Sequence, residues 1–480
     1  MTKKVAFSRY LQEAEGALSA LRGELEKKYG YVSVYAADSA GFSLRAGQRN
    51  VRLVEDTMTS ERGVCVRVMQ DGICSEYAFN PAEYFADPKA AAEKIGAKLD
   101  AQLSMLKNLG VEPYPTPELP DGGLEIFAEF EAETAPEEAD RGALLDELRR
   151  ISAAGMELDE RLIDVEATAS STHISKMFLT KNRTLKQSYV YSEGNVIAFM
   201  AKDGKTARSV GSVSGRCGAE LFKDLAGRLE STVANTAAVL TADRIEPGEY
   251  TIITNPEVTG LIAHEAFGHG VEMDMFVKER ALGKEYIGKR VGSPLVTMHE
   301  GALAAVEVSS YAFDDEGTPA QDTVEIDKGI LRTGICDALS AMRLGTSPTG
   351  NGKRESYSHK AYTRMTNTVF EAGNDTLEEM IASTDYGFLL ENMRSGMEDP
   401  KHWGIQCIIE RGLEIKDGKL TGRVVSPVVL TGYVPDVLGN ITMAGRKVQV
   451  FGSGCCGKGY KEWVKVSDGG PCLKTKARLG

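Results

Sequence analysis

The sequence predicts an α+β protein, with an N-terminal α/β region of helices and antiparallel sheets followed by a β-rich C-terminal region with few helices. Three observations support this prediction. The chain has 480 residues, and single hydrophobic cores stop growing near roughly 250–300 residues, so more than one domain is expected. Residues 1–241 show the order helix, strands, helix twice. Strand-like segments dominate from residue 242 onward.

The composition is typical of a globular protein that needs no disulfide framework. Hydrophobic residues make up 42% and charged residues 26% of the chain, and the formal net charge is −13. Binding to a phosphate backbone requires dense positive charge, so a nucleic-acid partner is not expected. The N-terminus lacks a signal-peptide core, no stretch reaches the ~18–20 apolar residues of a membrane span, and the eight cysteines are expected to be reduced. These features predict a cytoplasmic protein without a membrane partner.

The first predicted domain covers residues 1–110. It begins with an amphipathic helix and continues with strands over residues 31–79, where Asp71-Gly72 is a strong two-residue hairpin signal. Asp87-Pro88 combines an N-cap residue with a first-turn proline and predicts the start of a second helix. A proline-rich linker, residues 111–123, follows, because neither a helix nor a central strand tolerates this sequence.

The second predicted domain covers residues 124–241. Thr134 and Glu137 have the spacing of a capping box and predict a helix start. Strands are expected over residues 162–213, and a helix from about Cys217 to Leu240. The order of elements therefore resembles that of the first domain.

The third predicted domain covers residues 242–480 and is dominated by strands. A helix is expected to begin at Asn255-Pro256, and another lies near residues 375–383. The predicted strands include residues 250–255, 304–313, 323–335, 422–432 and 447–452.

The most informative short segment is "LIAHEAFGHGVEMD", residues 261–274. His264 and His269 are five residues apart on the predicted helix, which places their side chains ~140° apart on a regular α-helix, too far to reach one ion. A single π-turn absorbs one residue and returns both side chains to one face, and Gly268 and Gly270 favour an irregular backbone there. The helix is therefore expected to be regular up to about Glu265 and then to form a π-turn or unwind near Gly268.

Two interpretations of this segment remain open from the residues alone. The histidines could be ordinary core side chains, or they could be metal ligands. The second interpretation gains support from Glu265, whose charge in an apolar run is costly to bury without a partner such as a metal-bound water.

A metal centre needs at least one more ligand, and "VFGSGCCGKGYKEW", residues 450–463, offers Cys455 and Cys456. Two histidines and one thiolate with an open fourth position form a catalytic zinc coordination. The same segment has a G-x-G-x-x-G spacing, but only 23 residues follow Gly457, too few for a dinucleotide-binding βαβ unit.

Several short segments follow one another in a fixed order. They are "HEAFGHGVEMD", "DDEGTP" at 314–319, "TGNGKRESYSH" at 349–359, "RMTNT" at 364–368 and "CGK" at 456–458, and together they cover most of residues 250–460. In this order they resemble the motifs of the TldD/PmbA family of zinc metallopeptidases, and in particular its TldD branch; some members were formerly called modulators of DNA gyrase. The sequence departs from the family pattern in "GYKEWVKVSDGG" and in "MEDPKHWGIQC".

The resemblance implies a zinc-dependent peptidase with His264, His269 and Cys456 as zinc ligands and Glu265 as the catalytic base. It favours Cys456 over Cys455 because the family's ligand directly precedes Gly-Lys. It also implies that a β-rich, barrel-like C-terminal domain holds the active site. Family members are cytoplasmic dimers, so a homodimer or a heterodimer with a related TldE/PmbA-like subunit is expected. The implied substrates are unstructured peptides or unfolded polypeptide segments held as an added β-strand.

Other polar residues of the matching segments are candidates for substrate binding, and a purely structural role is equally open for them. They are Tyr357, His359, Arg364 and Asn367. His173, His299 and His402 are expected to be bystanders. The alternative function is a non-catalytic interaction or regulatory partner of a peptidase complex. Such a partner is expected to lack the histidine pair and the late cysteine, and this chain has both.

Overall fold

The computed structural model describes residues 1–54, 60–80, 86–109, 116–458 and 461–480. Its N-terminal part is a long, mostly antiparallel sheet covered by helices. Along residues 1–241 the elements are β1 Lys3–Lys4, α1 Arg9–Glu26, β2 Tyr31–Ala46, β3 Val51–Val54, β4 Glu61–Gln70, β5 Ile73–Phe79, α2 Pro88–Asn108, β6 Leu124–Glu129, β7 Glu131–Ala132, α3 Arg141–Met156, β8 Leu162–Leu179, β9 Arg183–Lys202, β10 Lys205–Gly215 and α4 Leu229–Leu240.

The strand order in this sheet is β10-β9-β8-β2-β4-β5, with β3 added on β2 and β6 added on β9. Helices α1 and α2 bury leucines such as Leu18 and Leu99 on one half of the sheet, and α3 and α4 bury residues such as Ile151 and Val233 on the other half. The repeated order of helix, strands and helix is confirmed. The proposed boundary between the first two domains stays a prediction; strands from both sides of it pair directly, β2 with β8.

The local signals of the first region are confirmed. Asp71 and Gly72 have φ values of 52° and 74° and connect β4 to β5, because a two-residue hairpin turn needs the left-handed conformation at both positions. The Asp87 carboxylate accepts hydrogen bonds from the N–H groups of Lys89 and Ala90 at the start of α2. Linker residues 111–115 lie outside the described residues.

Two predictions for residues 124–241 are wrong in detail. The cap of α3 is Asp140, which accepts from the Ala143 N–H, because Glu137 is engaged by His173 instead of capping a helix. The helix expected from Cys217 begins as short 3₁₀ turns and becomes α-helical only at Leu229.

The C-terminal part, from residue 242, is β-rich as expected. Its elements are β11 Gly248–Thr254, α5 Pro256–Ile262, α6 Asp274–Val277, β12 Met298–Glu300, β13 Thr323–Asp327, β14 Ile330–Leu331, α7 Ala338–Leu344, β15 Gly352–Lys353, β16 Tyr362–Thr363, β17 Asn367–Phe370, α8 Leu377–Ala382, β18 Tyr386–Asp399, β19 Gly404–Lys416, β20 Lys419–Val425, β21 Val428–Tyr433, α9 Val434–Gly439, β22 Met443–Ala444, β23 Gln449–Lys458, β24 Lys461–Gly470 and β25 Leu473–Leu479.

Five of these strands close into a barrel. The pairs run β11-β18-β19-β21-β25, and β25 returns to β11. Helix α5 follows β11 directly and buries Val258 and Leu261 in the core formed with the barrel. A second sheet has the order β14-β13-β12-β17-β24-β23, with β23 at its edge.

The strand expected over residues 304–313 is absent from this described segment. The Glu307 N–H donates to Ser310 Oγ, and Ser310 Oγ donates to the Ala305 carbonyl. Side-chain bonds of this kind compete with the ladder bonds of a sheet, and the segment forms turns instead. Within the described part of the chain, no helix has the length and apolar character that crossing a membrane requires.

Candidate metal centre

The helix that carries the histidine motif begins where the sequence predicts. The Asn255 side chain accepts a hydrogen bond of 2.9 Å from the Val258 N–H, and Pro256 occupies the first turn, where its missing donor costs nothing. The helix is a regular α-helix as far as Ile262. The histidine motif that follows this helix therefore lies in the core beside the barrel.

The predicted π-turn is confirmed. Residues Ala263–Gly268 form a π-helix, in which the His269 N–H donates to the His264 carbonyl five residues earlier. The irregularity starts two residues before Glu265, slightly earlier than expected. As a result, the rings of His264 and His269 lie with their centroids 5.0 Å apart instead of on diverging faces.

Two glycines permit the close packing around this turn. A Cβ on Gly268 would lie 2.1 Å from Met365 Sδ, and a Cβ on Gly396 would lie 2.4 Å from Cγ of Glu265. Real contacts are never this short. Gly268 therefore leaves room for Met365, and Gly396 lets strand β18 approach the π-helix at Glu265.

The third ligand comes from strand β23. Cys456 Sγ lies 3.2 Å from His269 Nε2, and the ligand atoms of His264, His269 and Cys456 all lie within 4.8 Å of one another. Cys456 is buried and its neighbour Cys455 is exposed, because successive side chains of a strand point to opposite sides. The structure thus brings together the residues that the sequence predicted as ligands.

The electrostatics of the cluster favour the thiolate, which is the metal-binding form of cysteine. Burial alone would raise the pKa of Cys456, but His264 and His269 stabilise the charged form and lower the pKa to about 4. In addition, His264 Nδ1 is buried and has no hydrogen-bond partner among the described residues. Two imidazoles and a thiolate that meet at one point fit a zinc-like ion, with one coordination position left open.

Sequence reasoning missed Glu272, which orients one of the candidate ligands. Its carboxylate lies 3.2 Å from His269 Nδ1, so that Nε2 is left to face Cys456. Glu272 is buried, and Lys458 Nζ at 3.1 Å and Arg364 Nε at 3.5 Å balance its charge. A signal was present: Glu272 follows His269 by three residues, the spacing at which helical side chains meet.

We expect Glu272→Gln to weaken metal binding by about 10- to 100-fold, because it removes the charge that polarises His269 while keeping the side-chain volume. The matched control is Asp274→Asn, which removes a charge from the same Lys458 but has no contact with His269. Competition with a chelator of known affinity measures the difference. Equal metal affinity in the two variants would contradict the role of Glu272.

The cluster lies in the wall of a groove with a volume of about 610 Å³. Residues 393–398 of β18 and residues 454–458 of β23 both line the groove. Glu265 and Asp468 also line it, and burial raises the pKa of Asp468 to about 7. The groove gives an extended molecule access to the three candidate ligands and to the predicted base.

The four predicted substrate-binding residues are not among those that line this groove in the described part of the chain. Arg364 is fully buried and donates to the Cys456 carbonyl at 2.9 Å. Asn367 is also buried and donates to the carbonyl of Gly301. The Tyr357 ring packs against Gly63 of β4, and His359 faces two carboxylates away from the cluster.

The histidines predicted as bystanders have other partners. His173 contacts Glu137 and Ser188, His299 contacts Asp322 and Glu371, and His402 contacts Asp399. None of the three belongs to the cluster of His264, His269 and Cys456.

Comparison with known proteins agrees with this geometry. Residues 247–475 match the model of the PmbA/TldA metallopeptidase C-terminal domain. The chain is 30% identical over 343 residues to a metalloprotease TldD homolog of Buchnera aphidicola, covering 68% of this chain and 70% of the relative. It is 30% identical over 232 residues to a zinc metalloprotease TldD homolog of Saccharolobus solfataricus, covering 48% of this chain and 51% of the relative.

Among solved structures, TldE from Thermococcus kodakarensis has the same fold, with a TM-score of 0.76 at 17% identity over 97% of this chain and 100% of that one. At this identity the likeness concerns the fold alone. The sequence relatives are named as metalloproteases, and the family-model match over residues 247–475 includes the histidine pair and the cysteine. This chain is a metallopeptidase that belongs to the PmbA/TldD family.

Proposed function

We propose that this metallopeptidase uses zinc to hydrolyse unstructured peptides or unfolded polypeptide segments that bind as an extended strand. The observation that carries the proposal is the meeting of His264, His269 and Cys456 in the wall of a groove between two strands. A relative named as a zinc metalloprotease supports the choice of metal.

His264, His269 and Cys456 are the residues that would hold the ion. When bound, Zn²⁺ supplies Lewis-acid polarisation of the scissile carbonyl and lowers the pKa of water. The ligand residues are preorganised, because Glu272 orients His269 and Arg364 donates a hydrogen bond to the Cys456 carbonyl.

Glu265 is the proposed general base. It follows the first histidine directly and lines the groove, where Gly396 leaves its side chain just enough space. Its carboxylate takes a proton from the attacking water and returns it to the leaving amine. The low exposure of Glu265, 8%, strengthens its interactions with charge that develops in the groove.

The strand geometry supports an extended substrate. Strand β18 pairs with β11 through residues 387–390, and among the described residues no strand pairs with residues 391–399 on the side away from β19. Strand β23 is the edge of its own sheet. A peptide between these edges could complete a ladder of main-chain hydrogen bonds, which recognises an extended backbone irrespective of most side chains.

Arg364 and Asn367 take part in this proposal as positioning residues. Arg364 supports strand β23 at Cys456, and Asn367 fixes the turns after Gly301. We also propose that the protein works in the cytoplasm, where its eight free cysteines would remain reduced, and that it forms a dimer with a second copy or with a TldE-like subunit. The shared fold with TldE supports the second part.

We expect the purified protein with its partner subunit to cleave an unstructured peptide but to spare the same sequence when it is cyclised, because a ring cannot extend along the groove. Removing metal with a chelator is expected to abolish cleavage, and adding Zn²⁺ but not Mg²⁺ to restore it. Mass spectrometry of the products measures both. Undiminished cleavage after complete metal removal would refute the zinc mechanism, and equal cleavage of the cyclised peptide would refute the extended mode of binding.

A further inference from the structure

A second group of potential metal ligands lies outside the groove. Glu355, His359 and Glu462 each offer one ligand atom, and these atoms all lie within 4.8 Å of one another. His359 Nδ1 is 3.1 Å from an oxygen of Glu355 and 3.5 Å from an oxygen of Glu462. Two carboxylates thus face one ring nitrogen from different segments of the chain.

The contacts of His359 with the two carboxylates do not have hydrogen-bond geometry, and they are ion pairs only when the ring is protonated. His359 Nδ1 and Glu462 Oε2 are both inaccessible to solvent, and neither has a hydrogen-bond partner within the described ranges. An ion with bonds of about 2.0–2.1 Å in tetrahedral geometry holds its ligand atoms roughly 3.3 Å apart. The two measured separations lie on either side of this value, so one cation between the three atoms could contact all of them.

We propose that Glu355, His359 and Glu462 form a second divalent-cation site, distinct from the site of His264, His269 and Cys456. Two carboxylates and a neutral imidazole carry two negative charges, which one divalent ion balances. The donors are oxygen and nitrogen without sulfur, a set that accepts Zn²⁺, Mn²⁺ or Co²⁺ and binds them less tightly than a site with a thiolate.

Two positive side chains of the described residues near this site, Arg354 and Arg364, are already paired. Arg354 donates to the His359 carbonyl, but its guanidinium contacts Glu76 at 2.6 Å. Arg364 donates to the Glu462 carbonyl, and Glu272 lies 3.5 Å from its Nε. These cations therefore do not neutralise the carboxylates of the cluster.

The place of the site in the fold indicates a structural role. Glu462 lies at the start of β24, which pairs with the strand that carries Cys456, and Glu355 and His359 belong to the segment that follows β15. Arg364 connects the second site to the strand that carries Cys456, because it donates to the carbonyls of both Glu462 and Cys456. An ion at the second site would hold the start of β24 in place and so stabilise the position of Cys456.

The proposal is independent of the peptidase mechanism and can be tested by metal binding alone. We expect the metal-free full-length protein to bind Co²⁺ at two sites, one for each cluster. The Cys456 site produces a thiolate-to-cobalt charge-transfer band in the near ultraviolet, and the second site produces only weak visible bands. Titration followed by absorption, with cobalt content measured by elemental analysis, separates the two.

His359→Ala is expected to remove one bound Co²⁺ while the charge-transfer band remains, and Cys456→Ala is expected to remove the band while the other ion remains. His402→Ala is the control, since its partner is the exposed Asp399 and it belongs to neither cluster. Glu355→Gln serves as a second variant if His359→Ala fails to fold. Wild-type protein that binds only the Co²⁺ with the charge-transfer band would overturn the proposal and leave the cluster as an ion pair. Wild-type protein that binds Co²⁺ without the charge-transfer band would instead contradict the Cys456 site.

Discussion

Replacing Glu265 by glutamine is expected to lower kcat for an unstructured peptide by ~10²- to 10⁴-fold, the usual contribution of general acid–base catalysis. Glutamine has nearly the same size and fits the space beside Gly396, but it cannot accept the proton of the attacking water. Zinc content and fold are expected to be retained, because Glu265 is not one of the three candidate ligands. Single-turnover kinetics with saturating peptide measures the effect on the chemical step.

The control for this variant is Glu257→Gln, which removes a carboxylate from the same helix two turns earlier and lies outside the groove lining among the described residues. It is expected to keep near wild-type activity. Retained peptide binding without turnover in Glu265→Gln would support the assignment further and would allow a bound substrate to be trapped. Hydrolysis at the wild-type rate in Glu265→Gln would show that another group is the base.

The second large effect is expected for Cys456→Ala. This change removes the thiolate from the candidate centre and should decrease bound zinc by about one equivalent per chain, since a site of this type holds one ion. Peptide hydrolysis should be lost with the metal. Elemental analysis after dialysis, together with an activity assay at limiting zinc, measures both outcomes.

Cys455→Ala provides the matched control, because it deletes the same atom one residue earlier on the same strand. Cys455 is exposed on the opposite side of β23, so its loss should leave zinc binding and activity largely unchanged. Equal loss of zinc from both variants would leave the assignment of Cys456 unsupported. Loss from Cys455→Ala alone would reverse it.

Much of the fold could be predicted from the sequence because its signals are local. Asp71-Gly72 supplies the left-handed conformations of a hairpin, and Asn255 before Pro256 supplies a cap and a first-turn proline. Such signals depend on a few adjacent residues, so they can be recognised without knowledge of the tertiary structure. They failed where side chains found distant or competing partners, as Glu137 did with His173 and as Ser310 did within residues 304–313.

The candidate site, too, was predictable only in part from local features of the sequence. The five-residue spacing of His264 and His269 required an irregular helix, and helix geometry alone was enough to predict the π-turn. The preference for Cys456 over Cys455 came from the family resemblance. The alternation of side chains along a strand gives the physical reason why only one of the two can face the histidines.

The sequence by itself therefore determined the fold class and the break in the helix that carries the two histidines, and the family resemblance supplied the ligand set with Cys456. Only the tertiary structure decided which groups surround that cluster. Glu272 beside His269, Gly396 against Glu265, and the approach of Glu462 to His359 each join residues whose positions depend on how sheets and loops pack. The physical reason is the range of the interactions. Turns and helix caps depend on residues that are neighbours in the chain. The surroundings of a site depend on contacts between segments that are distant in the sequence, and no local pattern specifies those contacts.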